Sequence, residues 1–323
     1  MNDPNPKGSI WVYEFDKSGD VSPRRLLLDG FPDTSDFHPL GVDVLPATRT
    51  EPAHLFIVNH GRNYSTVEQF TLVGKEVPYH ARYVRTWEHS AIHAPNAIVP
   101  LSPTSFYVTN DHQFTRRLPA PVGDIVPLAE TLLILPGGWV DRLDFVEGKV
   151  KVTRAISRIP LPNGIALSPD GTEVAVASST EGTVQLYDRD PATNELTFRE
   201  RIYVPHAPDN ISYDEKKGSI IVAGHPHYPS LVNLVAKKTQ TSPSWVIEIE
   251  KRNVPDEVPT DPKAPYSAYE RVSPHPNYKL TTIYQSDGRH YSASSTGISH
   301  GNDFFVAGLY ADGLLHCAFL QST

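Results

Sequence analysis

The sequence predicts an all-β protein, a six-bladed β-propeller with a central channel whose first blade strands are incomplete at the N-terminus. Three observations carry that expectation. Thirty prolines and twenty glycines are spread over 323 residues and leave little uninterrupted room for helices. One two-strand pattern recurs five times, in "LGVDVLPATRTEPAHLFIVNHG", "PNAIVPLSPTSFYVTNDH", "PNGIALSPDGTEVAVASST", "DNISYDEKKGSIIVAGHP" and "STGISHGNDFFVAGLY". The chain also opens on "GSIWVYEFDKSG", which reads as a third strand with no first or second strand before it.

Each repeat begins at a polar or small position, turns through Pro, Asp, Gly or Lys, and closes with a more apolar strand that ends in polar residues. Alternating segments such as "STVEQFTL" and "GTVQLYDRD" supply third strands, half-exposed by their period of two. The repeats start at Leu40, Asn96, Asn163, Asp209 with Asn210, and Thr296, at irregular spacing, so insertions must fall between them. "GDIVPLAETLLILPGGWVDRLDF" reads as a short helix or loop before a third strand. The stretch from Val235 to Val272 reads as outer strands and a Pro-rich surface loop, and "YKLTTIYQSDG" as a further strand. A single domain over residues 1–323 follows from one closed array.

Five complete units and the N-terminal fragment sum to six blades. In such an array the innermost strands line a channel, and equivalent repeat positions come round one rim. The first-strand starts and the second-strand ends (His60, Asn110 with Asp111, and His225) then share a mouth. Asn amides and Asp carboxylates in one ring are hard oxygen donors, which suit Ca²⁺ better than a transition metal. For an isolated Asn or Asp a turn or strand cap is the ordinary role, and a histidine there serves equally as core packing or as a site group.

Charge and composition exclude other classes. Twenty-nine Lys and Arg against 37 Asp and Glu give a net charge of −8 without basic clusters, so neither nucleic acid nor a polybasic membrane contact is expected. No apolar run is long enough to span a bilayer. The first residues, "MNDPNPKGS", lack the features of a signal peptide, and the single Cys317 cannot form an internal disulfide; a cytoplasmic location is the default expectation. "TGISHG" and "LPNGIALS" are not nucleophile elbows, and "PGGWV" is too short for a phosphate loop.

At "LFIVNHGRNYSTVEQF", "FYVTNDHQF", "NGIALSPDG", "DNISYD", "VAGHP" and "LLHCAF" the sequence resembles the serum paraoxonase and arylesterase family over nearly its whole length. The resemblance implies a six-bladed propeller with two calcium ions that hydrolyses lactones and aryl esters. It implies Asn110, Asn163, Asp209 and Asn210 as ligands of a catalytic calcium, and Asp111 with the Val42 carbonyl as ligands of a structural one. His60 matches one member of the family's histidine pair, and His225 a further pocket histidine. Three departures stand out. The other pair member falls on Leu40, with His38 two residues earlier as its substitute; the family's adjacent Glu and Asp ligands lie before Met1; and the partner of Cys317 is absent too. The first reading is a calcium-dependent lactonase or arylesterase acting on a small molecule. A non-hydrolytic cyclase- or isomerase-type enzyme and a non-catalytic ligand-binding propeller are the alternatives.

Overall fold

The computed structural model describes residues 7–14, 22–32, 36–74, 77–252 and 275–318. Contacts divide the chain into two compact units, Met1–Gly123 with Trp139–Ala155, and Asp124–Gly138 with Ile156–Thr323. All-β architecture is as expected: antiparallel meanders of the kind that make propeller blades, with two short helices.

The first unit starts with a two-stranded ribbon, β1 (Trp11–Val12) against β2 (Arg24–Arg25). β3 (Leu27–Asp29), β4 (Pro39–Leu45), β5 (His54–Asn59), β6 (Thr66–Val73) and β7 (His80–Trp87) form the first blade, in spatial order β3-β7-β6-β5-β4. β8 (Pro95–Ser102), β9 (Ser105–Asn110), β10 (Gly138–Val146) and β11 (Lys149–Ile159) form the second; the helix α1 (Val122–Leu132) interrupts it before β10. Facing apolar residues close these two blades on each other: Phe56, Val58, Val67 and Trp87 of the first meet Ile98, Phe106, Val108 and Leu143 of the second. Trp87 is held beyond its apolar area, because its indole N–H donates to the buried Gln69 Oε1 at 3.0 Å.

The second unit carries three blades. β12 (Pro162–Leu167), β13 (Glu173–Ser178), β14 (Thr183–Arg189) and β15 (Leu196–Tyr203) form one. β16 (Ala207–Tyr213), β17 (Ile220–His225), β18 (Ser244–Lys251) and β19 (Tyr278–Ser286) form the next, with the helix α2 (Tyr228–Val235) between β17 and β18. β20 (Ser294–His300), β21 (Asp303–Gly308) and β22 (Leu315–Ala318) form a three-stranded last blade. Cys317, in β22, is a free thiol. The Pro-rich loop expected before β19 lies, for residues 253–274, outside the described residues.

The expected sixth blade is corrected to five among the described residues. The reason lies in residues 7–32. Of "GSIWVYEFDKSG", expected as a third strand, residues 8–14 contribute the two-residue β1 and residues 15–19 lie outside the described residues; β3 pairs in parallel with β7 as a fifth strand of the first blade. Ile10, Val12, Leu26, Leu28 and Phe31 then cover the outer part of that blade's far face, over Leu55, Ile57 and Phe70. Its innermost strand stays bare: Val42 and Val44 are 44 % and 40 % exposed, whereas the register-equivalent Ile98, Ile165 and Ile211 are 3 %, 5 % and 8 %.

Candidate functional site

The site begins with an irregularity that recurs in every blade. Each innermost strand slips register within its first pairings, between Pro39 and Val42, Pro95 and Ile98, Pro162 and Ile165, Pro208 and Ile211, and Ser294 and Thr296. A bulge sets two residues against one and re-aims their side chains. Four of the five bulges follow a proline, which has no N–H to give to a ladder. The bulged residues are Leu40 and Gly41, Asn96 and Ala97, Asn163 and Gly164, Asp209 and Asn210, and Ser295 with Thr296. The bulges thus fall at the start of each repeat, four on the expected residues and the fifth one residue earlier, at Ser295.

Two glycines allow neighbouring bulges to touch. A Cβ on Gly41 would sit 2.3 Å from the Asn96 carbonyl oxygen, and one on Gly164 2.6 Å from Asn210 Cα and 2.7 Å from the Asp209 oxygen. Only glycine fits backbone against backbone at that distance.

In the first unit the structure brings together His38, His60, Asn110 and Asp111 of the expected site at the ends of β4, β5, β8 and β9. Asn59 and Asn110 close their blades in the same way. Asn59 Oδ1 accepts the His38 amide at 2.8 Å, and Asn110 Oδ1 accepts the His93 and Ala94 amides at 2.9 and 3.0 Å. Asn110 is fully buried, and its Nδ2 has no hydrogen-bond partner among the described residues. Asp111 Oδ1 accepts from His112 Nδ1 at 2.7 Å and its Oδ2 from Asn96 Nδ2 at 3.1 Å. Val42 follows the first bulge, opposite Ile57. The His60 ring bonds through Nε2 to the Pro95 carbonyl. Burial depresses its pKa, and this outweighs that bond and the nearby Asp111 charge.

Sequence reading missed Asp36 and Arg62. Asp36 accepts from His38 Nε2 at 2.7 Å, from Arg62 Nη1 at 2.8 Å and from the Arg62 amide at 2.6 Å. Burial alone would raise the Asp36 pKa; the Arg62 amide, the His38 ring and the Arg62 charge together hold the carboxyl below its ordinary range. The Asp-x-His spacing was the available signal, since residues two apart in an extended segment share a side. Asp43 was missed as well: on β4, burial pushes its pKa up to about 7 against the opposing Val44 amide.

In the second unit Asn163, Asp209, Asn210 and His225 sit at the ends of β12, β16 and β17. His225 Nε2 donates to Asp209 Oδ2 at 3.0 Å, and both groups are buried. Asn210 Nδ2 donates to the Ser295 carbonyl at 2.9 Å, which leaves its amide oxygen to accept a hydrogen bond or coordinate a cation. Behind His225 lies His206, tilted at 56° to the Trp245 ring at 5.9 Å, with neither ring nitrogen hydrogen-bonded among the described residues. Desolvation first, then the neighbouring His225, lowers its pKa to about 3.

The donor chemistry fits a hard cation in the second unit, where Asn163, Asp209 and Asn210 offer amide and carboxylate oxygens at adjoining bulges. Asn110 does not fit as it stands, because its one oxygen already serves two backbone amides. Among the described residues no three His, Cys, Asp or Glu side chains cluster as metal ligands, and no helix is long and apolar enough to cross a membrane.

Blades and bulges that present amide and carboxylate groups define an all-β scaffold of the β-propeller class. The model of the arylesterase family matches residues 2–268, and the chain belongs to that family. Serum paraoxonase/arylesterase 2 of Canis lupus familiaris is 25 % identical over 307 residues, 95 % of this chain and 76 % of that protein. Serum paraoxonase/lactonase 3 of Oryctolagus cuniculus is 28 % identical over 230 residues, 71 % of this chain and 60 % of that protein.

Proposed function

We propose that this protein is a hydrolase of lactones or aryl esters, with calcium held by Asn163, Asp209 and Asn210 and a histidine at the rim assisting attack by water. The observation that supports it most is the pair of adjoining bulges that presents those three oxygen donors in a member of the arylesterase family. When bound, calcium supplies a Lewis acid toward a carbonyl oxygen. The resemblance also names Asn110 for that ion and Asp111 with the Val42 carbonyl for a second; Asn110 is left out of the proposed set because its oxygen serves two backbone amides.

The chain's own residues orient and move protons. Asp209 fixes the ring of His225, so that Nε2 carries the proton and Nδ1 the lone pair. The Pro95 carbonyl does the same for His60. Either ring, or His38, presents an imidazole that accepts a proton from water.

The test is hydrolysis of a panel of aliphatic lactones and phenyl acetate, with and without a calcium chelator, on the intact chain and on Asp209→Ala. Turnover that chelator and Asp209→Ala each reduce at least 100-fold is the expected result; turnover indifferent to both would remove calcium from the mechanism. A non-hydrolytic enzyme on the same scaffold is the second reading, motivated by the half-exposed Leu40 at the position of the family's other histidine. It predicts no turnover on the panel and a rearranged product from a cyclisable substrate.

A further inference from the structure

We propose that Asp36, His38 and Arg62 form a proton-handling group in which His38 Nδ1 is the general base and Asp36 its positioning residue. The role rests on the hydrolase reading above, and it fills the place left by Leu40. Four observations in the first unit support it.

The segment is pinned. Phe37 is buried, edge-on to Phe31 at 5.3 Å, so the residues on either side of it, Asp36 and His38, turn together away from the core. The main chain of His38 is fixed twice by the end of β5, its N–H to Asn59 Oδ1 at 2.8 Å and its carbonyl from the His60 amide at 2.9 Å.

Next, the tautomer is set. Nε2 donates to Asp36 Oδ1 at 2.7 Å, so the lone pair is at Nδ1, which takes no hydrogen bond among the described residues. The side chain is still 10 % exposed.

Asp36 is held in turn. Arg62 binds it through its main-chain N–H and its guanidinium, which keeps the carboxylate ionised and aimed at His38.

Finally, the competing histidine is a weakened base, because burial lowers the His60 pKa. The His60 ring leans on a neutral carbonyl, whereas the His38 ring leans on a carboxylate. The titratable and charged groups facing this region are Asp36, Arg62 and His60, with Asp111 and Arg117 acting on His60.

The step balances without a co-reactant. Water gives a proton to His38 Nδ1 as its oxygen bonds to the ester carbonyl carbon; the carbon–oxygen bond of the ester then breaks, and the departing alkoxide takes that proton. Asp36 remains ionised throughout.

His38→Gln, Asp36→Asn and Asp36→Glu test the assignment against the same lactone and phenyl acetate panel, with kcat and KM followed from pH 5 to 9. Asn59 and His60 hold His38 by its main chain, so His38→Gln keeps the fold, which a thermal melt checks. Expected are a 100-fold or greater loss of kcat in His38→Gln with KM within a few fold. Asp36→Asn loses about 10-fold in kcat with KM within a few fold, because the ring loses the carboxylate that fixes its tautomer; Asp36→Glu restores kcat. Turnover by wild type that His38→Gln leaves intact, or a kcat that Asp36→Asn leaves unchanged, overturns the assignment while the hydrolase reading stands. A wild-type protein that hydrolyses nothing in the panel overturns both.

Discussion

Single residues at the rim do two kinds of work, and they separate by measurement. Asn110 Oδ1 closes a blade by serving two buried amides, so Asn110→Ala is expected to cost about 1–3 kcal/mol in urea unfolding, by the same amount in calcium and in chelator. A loss confined to the calcium-loaded protein would make Asn110 a ligand first. His206 is a buried neutral imidazole. Its folded pKa of about 3 lies below the ordinary 6.5, so the unfolded chain binds the extra proton first as pH falls. Stability from this group is full above 6.5 and declines between 6.5 and 3, by up to about 1.4 kcal/mol per pH unit. Urea midpoints measured at pH 7, 6 and 5 should converge in His206→Phe relative to wild type. At this scale the sequence was legible where a residue's position is set by its own strand: Asn163, Asp209 and Asn210 lie at the strand starts that the repeat gave them, and the structure adds that each is bulged. Asp36 was not, because its meaning comes from Arg62, 26 residues away, and no local pattern records that partner.

At the scale of elements the bulge is the working part. It lets a strand that enters on proline turn two polar residues to the rim and then resume the apolar alternation of a core strand. Where two bulges adjoin, glycine makes the contact possible. Gly164→Ala would place a methyl against the β16 backbone, which cannot yield as a flexible side chain can. We expect about 1–3 kcal/mol of destabilisation in urea and weaker calcium binding by calorimetry. Gly313→Ala, with open space around its position, should be neutral or slightly stabilising. Strand order was legible from the repeat, since hairpin-connected strands of one blade are neighbours in both chain and space. β3 was not: it joins β7 in parallel, a pairing that depends on where residues 22–32 return and not on their own pattern.

For the whole molecule, the count of blades fell from the expected six to five among the described residues, and the bare face of β4 records the difference. Val42 and Val44 have the sequence of core residues but the exposure of surface ones. Val42→Lys with Val44→Lys should therefore change stability by no more than about 0.5 kcal/mol, whereas Ile98→Lys, a charge in a filled core, should prevent folding or cost more than about 4 kcal/mol. Urea unfolding followed by tryptophan fluorescence distinguishes them. A large loss from the Val42 and Val44 pair would mean that this face is covered in solution.

The sequence by itself determined the all-β class, the repeated blade and the residue types at each rim position, because alternation, turn chemistry and proline placement act over a few neighbouring residues. Only the tertiary structure decided how many blades form, which rim oxygens are already engaged, and that Asp36 and Arg62 stand behind His38. Those outcomes depend on which distant groups arrive at the same place, and on whether a buried polar atom finds its partner there or leaves its lone pair for a ligand.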